Sequence, residues 1–175
     1  MTTRTPDLSL LDDAVSAKVL TAMRAAAAQL TLLGVRHWLV GGLAVGAHGH
    51  PRATKDVDFF VGDEAFEHHE GGLVTMKPGV PIQVNGVVVD HLFAQEGEAF
   101  LTSQLPPASE ALAVAPIEIL AYLKLKSPRM KDRADLVELI KSGADVARCR
   151  RWLETNAPAL IEQLLEAESA ARIEE

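Results

Sequence analysis

Two aspartates stand two residues apart at the head of an apolar run, Asp56-Val57-Asp58-Phe59-Phe60-Val61. A strand turns alternate side chains to the same side, so both carboxylates are expected on one face inside an apolar strand. Like charges placed together in such surroundings repel and lose solvation. They need a compensating cation or hydrogen-bond donors, and a divalent metal is the simplest compensation. Mg²⁺ takes hard oxygen ligands, typically one or two carboxylates together with phosphate oxygens. The plainer reading is a pair of solvated charges that protect an edge strand from aggregation.

A third carboxylate recurs in similar surroundings. Asn85-Gly86 is a strong hairpin signal and leads into Val87-Val88-Val89-Asp90-His91-Leu92-Phe93, the clearest strand in the chain. If that strand pairs beside Val57 to Val61, Asp90 joins Asp56 and Asp58. Three carboxylates can hold two metal ions about 3.5 to 4 Å apart, an arrangement suited to in-line phosphoryl chemistry. Upstream, Gly41-Gly42 separates the apolar run 37–40 from a short small-residue stretch. Glycines between a strand and a helix let backbone N–H groups approach phosphates. A tight turn alone would also use them.

The remaining pattern predicts a helix over 11–33, strands over 37–40, 57–61, 73–76 and 82–84, and short helices over 43–48 and 63–70. Helical segments follow from Glu96 onward, at 116–125, 131–141, 144–155 and 158–172. Helix, then strands with little between them, then helices indicates an α+β fold rather than an alternating parallel sheet. We place a core with its N-terminal helix at 1–112 and a C-terminal helical segment at 113–175.

A chain of 175 residues suggests one domain or one core with a small extension, and its 48% hydrophobic content supplies an ordinary core. The net charge of −7 argues against coating nucleic acid with the whole surface. Charge is uneven, however. From Lys124 to Arg151 nine Lys/Arg face four acids, a net +5, while the remainder carries −12. That region could meet phosphates. A single cysteine, Cys149, fits a reducing compartment, and no signal peptide or membrane span is evident. A cytoplasmic protein that does not enter membranes is expected.

The stretch GGLAVGAHGHPRATKDVDFFV, with His48-Gly49 and Arg52-x-Thr54 before the Asp pair, resembles the minimal nucleotidyltransferases of the DNA polymerase beta superfamily. The nearest likeness is to the AbiEii-like nucleotidyltransferases of type IV toxin-antitoxin systems. APIEILAYLKLKSPRMKDRADLVELI is similar to that family's later helical segment. The resemblance spans about 37–141. It implies the nucleotidyltransferase fold, a small mixed sheet flanked by helices with the C-terminal helical segment packed on it. It implies Asp56, Asp58 and Asp90 as catalytic residues and metal ligands, with two Mg²⁺ ions. Gly41, Gly42, Arg52, Thr54, Lys124 and Lys131 would bind the nucleotide, with Asp132 supporting. The activity implied is transfer of a nucleoside monophosphate from an NTP to a hydroxyl acceptor, with tRNA or another RNA as one acceptor class and an antitoxin protein as a partner. His91 beside Asp90 and the segment 62–81 depart from the family pattern. Two other readings stand beside it, a small-molecule (antibiotic-type) nucleotidyltransferase and a non-catalytic nucleotide- or partner-binding module on the same fold.

Other candidates have structural readings. His48 is expected to pack or hydrogen-bond. His68-His69 cannot point the same way on a helix. Lys126, two residues after Lys124, should point elsewhere. Asp135 is expected to pair structurally, and Arg148, Arg150 and Arg151 to form a solvated face.

Overall fold

A computed structural model of the chain describes residues 4–109 and 111–173. After a short turn of helix at Leu8–Leu11, helix α1 runs over Ala17–Leu32, and the Ser16 side chain accepts a hydrogen bond from Val19 N–H. The helix therefore starts six residues later than the apolar periodicity predicts. Leu11 and Val15 are buried as expected but ahead of the cap, because Ser16 satisfies an N-terminal donor that no earlier residue reaches.

The strands are β1 (His37–Val40), β2 (Val57–Val61), β3 (Phe66–His68), β4 (Val74–Met76), β5 (Gln83–Val84) and β6 (Val87–Leu92). Four of them form one mixed sheet in the order β1-β2-β6-β5. β2 runs antiparallel to β1 and parallel to β6, and β5 closes against β6. The β5–β6 connection is the expected hairpin, with Asn85 and Gly86 both at positive φ (49° and 81°). β3 and β4 form a separate two-stranded ribbon.

The predicted helix over 63–70 is absent. A turn at Asp63–Ala65 leads into β3. Only Ala65 and Phe66 are apolar there, too few for a helical face, and Glu64 instead grips the Arg36 backbone N–H (2.9 Å) and Nε (2.7 Å). Gly71 and Gly72, both at positive φ, carry the β3–β4 connection.

Helix α2 (Gly41–Ala47) follows β1 directly. α3 (Ala99–Thr102), α4 (Ile117–Lys126), α5 (Met130–Lys141), α6 (Val146–Asn156) and α7 (Ile161–Ile173) complete the chain. Pro116 sits at the N-cap of α4, where its missing N–H costs nothing. Segment 113–115 returns to β1: Leu39 N–H donates to Ala113 (2.8 Å) and Ala115 N–H to Leu39 (2.9 Å).

Strand periodicity then sorts the core into two layers. Leu39, Phe59, Val61 and Val89 pack under α1 against Met23 and Leu30. Trp38, Val40 and Phe60 face the C-terminal helices, packing with Leu120, Leu139 and Leu153. The molecule is thus α+β, a mixed four-stranded sheet with helices and a C-terminal helical region. Among the described residues no helix is long and apolar enough to cross a membrane.

Candidate active site

Asp58 and Asp90 are register partners on neighbouring parallel strands. Both lie on the sheet face turned toward the C-terminal helices, at the end where that layer stops short of covering it. The pairing condition for Asp90 is therefore met. Asp56 differs from expectation in one respect: β2 begins at Val57, so Asp56 is the exposed last residue of the preceding loop. It still acts on the charge of Asp58 and lines the same cleft.

That cleft measures about 700 Å³, within the usual range for small-molecule sites. The three aspartates, Gly41 and Gly42 lie on one side. Arg52, Thr54 and Lys55 supply the loop wall, and Lys124, Ser127, Arg129, Lys131 and Asp132 supply the helix wall. Six Lys/Arg and four Asp line it, a net positive cleft in a protein of net charge −7. Every residue that the sequence nominates for the site is brought to this one cleft.

Asp58 is the electrostatically stressed member. Burial, then the neighbouring charges of Asp90 and Asp56, push its carboxyl up to about 6, against opposing pulls from Lys124 and Arg129. Gly41 explains part of that confinement. Its φ is +66°, and a Cβ there would lie 2.7 Å from Asp58 Cγ. The Asp58 side chain lies over a backbone that only glycine leaves open. A Cβ on Gly42 would lie 2.9 Å from Thr54 Oγ1 and 3.2 Å from Arg52 Nη2. The glycine pair is both a tight turn and a floor of the cleft. Gly41→Ala is expected to destabilise the fold by at least about 2 kcal/mol, because left-handed strain adds to the clash with Asp58. Thermal unfolding would show it, with Gly34→Ala as a comparison that has positive φ but open space.

Lys124 is buried, 5% exposed, and donates to Asp132 Oδ1 (2.6 Å) and Asp135 Oδ2 (2.8 Å). Arg52 approaches Asp135 from the opposite wall with a fork, Nε to Oδ1 at 3.0 Å and Nη2 to Oδ2 at 2.9 Å. Asp132 also accepts from Ser127 Oγ (2.5 Å) and Arg129 Nε (2.7 Å). Burial alone would raise the pKa of Asp132, but these hydrogen bonds and the Lys124 charge hold it at about 2. Asp135 likewise falls below its ordinary value through Arg52 and Lys124. Asp135 pairs structurally, but with Arg52 and Lys124 in the site itself rather than with Lys131 or Arg133 on its own helix face, as the sequence suggests.

Lys126 turns to other partners than Lys124, as expected, pairing with Glu98 and lying over the Tyr122 ring, but it still lines the same cleft. Arg148 is not part of a solvated face; it pairs with buried Glu118 at 2.8 Å. His48 hydrogen-bonds the Ala115 carbonyl oxygen at 2.8 Å, a structural role. His69 bonds Thr75. Sequence reasoning did not select Lys55 or Ser127, and Arg129 entered only as the arginine of the element R-x-K-D-x-x-D at 129–135. Lys55 and Ser127 carry no periodic signal, and a lysine beside an aspartate is too common to single out.

Hard carboxylate oxygens are the right donors for Mg²⁺, and the stress on Asp58 is the kind a cation relieves. Among the described residues, however, no three acidic, imidazole or thiol side chains converge closely enough to enclose a metal ion. The aspartates share a face without closing on a point.

Compared with known proteins, the chain matches no family model, and no curated protein matches it significantly in sequence.

Proposed function

We infer that the chain is a Mg²⁺-dependent nucleotidyltransferase of the DNA polymerase beta type, moving a nucleoside monophosphate from an NTP to a hydroxyl acceptor. The observation that carries this reading is the Asp58–Asp90 register pair, with Asp56 two residues ahead, in a cleft that six Lys/Arg also line. Asp56, Asp58 and Asp90 would hold the metal. When bound, it would supply charge neutralisation at the phosphates and at the leaving pyrophosphate.

The chain's own residues do the rest. Arg52, Lys124 and Lys131 hold the triphosphate, and Thr54 with the Gly41-Gly42 turn shapes the floor beneath it. Asp90, exposed at the cleft, takes the proton from the acceptor hydroxyl. The acceptor oxygen then bonds to the α-phosphorus, the bond to the β-phosphate oxygen breaks, and pyrophosphate leaves. The cationic rim at Lys55, Arg129 and Lys131 favours RNA, such as tRNA, as the acceptor class.

Incubation with α-labelled NTPs, Mg²⁺ and total tRNA tests this. Wild type is expected to label RNA, and γ-labelled NTP to leave it unlabelled. Equal labelling by the Asp56→Asn/Asp58→Asn double variant would sink the mechanism. A second reading, a non-catalytic nucleotide-binding module, is favoured by the failure of three donors to converge. It is upheld by tight NTP binding without transfer to RNA or to hydroxylated small molecules.

A further inference from the structure

Three cations and two carboxylates meet where the two walls of the cleft approach each other. Asp132 and Asp135, one helical turn apart on α5, serve Lys124 from α4, Arg129 from the α4–α5 connection, and Arg52 from the loop that precedes β2. The loop residues 51–56 belong to no helix or strand. Their position depends on side-chain anchors, and the two-pronged Arg52–Asp135 pair ties the loop to α5. Asp135 is only 4% exposed, so its carboxylate has little freedom to drift. The same carboxylate also holds Lys124.

We propose that Asp135 is a positioning residue for the cleft: one carboxylate that fixes a cation from the loop wall, Arg52, and a cation from the helix wall, Lys124, at a set separation suited to a polyphosphate. The proposal rests on the nucleotide-site reading above. Arg52 Nη2 lies beside Gly42 while it bonds Asp135, and Nη1 donates to the Ala53 carbonyl oxygen at 3.5 Å, which leaves two of the five guanidinium N–H groups for an anion. The planar fork matters, because guanidinium and carboxylate orient each other through two parallel bonds as an ammonium cannot. Asp135 also sets the reach of the loop that delivers Asp56.

The test uses the full ¹⁵N-labelled chain with Asp135→Asn, Asp135→Glu and Arg52→Lys. Backbone relaxation of Ala53 to Asp56 is measured without ligand. Mg²⁺ with a non-transferable α,β-methylene triphosphate is then titrated. For Asp135→Asn the loop order parameters are expected to fall from about 0.85 to below about 0.6. Triphosphate affinity is expected to drop by about tenfold to a hundredfold, the scale of losing a group that orients a binding residue. Asp135→Glu restores most of both, and Arg52→Lys reproduces the loss. A folded Asp135→Asn with an unchanged loop, or with affinity within about twofold of wild type, overturns the role of Asp135. If Asp135→Asn fails to fold, Arg52→Lys carries the same two readouts: a loosened loop with weakened binding supports the role, and an unchanged loop or affinity overturns it. A wild-type chain that binds no triphosphate overturns the nucleotide-site reading instead, whatever the loop does.

Discussion

Asp58→Asn is expected to yield a more stable protein that no longer transfers nucleotide. The carboxyl of Asp58 titrates at about 6 rather than 3.8, so the folded state binds its proton more tightly than the unfolded state does. Stability from this group is therefore fully present at low pH and lost as pH rises from about 4 through 6. Above that window the penalty is complete, up to about 3 kcal/mol for two pKa units. Asparagine carries no charge to desolvate and no repulsion with Asp90 and Asp56. In a chelator at pH 7.5 the variant should gain roughly 1 to 3 kcal/mol, visible as a higher Tm. At pH 4 the difference should nearly vanish. Transfer should fall by roughly three orders of magnitude or more, the scale of removing one member of a catalytic unit. A residue whose loss stabilises the fold and abolishes activity is held for function. Lower stability at pH 7.5 would contradict that.

Lys124→Met is expected to be the most destabilising single change in the cleft. It keeps the length and apolar stem of the side chain but strips Asp132 and Asp135 of their shared buried cation. Breaking a buried ion pair from one side costs about 3 to 5 kcal/mol, because the remaining charge stays desolvated. Arg52, Ser127 and Arg129 soften the loss without replacing the central charge. The sign of the pH dependence is distinctive. With Lys124 present, the carboxyl of Asp132 is depressed to about 2, so its stabilisation exists above about 4 and is lost as pH falls through 2. Without Lys124, both carboxyls move up from their depressed values, and protonation relieves them at a higher pH. The deficit of the variant should thus be largest near neutral pH and shrink toward pH 4. Urea unfolding at several pH values checks it, and a deficit independent of pH would contradict the account.

Much of the site was legible because it is written in short-range rules. Period two puts Asp56 and Asp58 on one side, and the Asn85-Gly86 turn delivers β6. Strand neighbours then brought Asp90 to Asp58, a step that depends on a parallel pairing no local signal encodes. The ion-pair lattice of Arg52, Lys124, Asp132 and Asp135 was not legible in the same way. Arg52 and Asp135 lie 83 residues apart and meet only through tertiary packing. Each alone looks like an ordinary surface charge. The helix expected over 63–70 failed for a related reason: Glu64 serves Arg36 at the adjoining end of the neighbouring strand β1, and that non-local partner outweighs local propensity. Boundaries shifted where caps decide them, as Ser16 does for α1.

The cleft as a divalent-cation and triphosphate site is tested most directly by titrating Mn²⁺, with a non-transferable triphosphate, into the ¹⁵N-labelled chain. Paramagnetic broadening is expected to centre on the amides of Gly41, Val57, Asp58 and Asp90 and to be lost in Asp58→Asn. Broadening centred elsewhere, or unchanged in that variant, would contradict the assignment of Asp56, Asp58 and Asp90 to the metal.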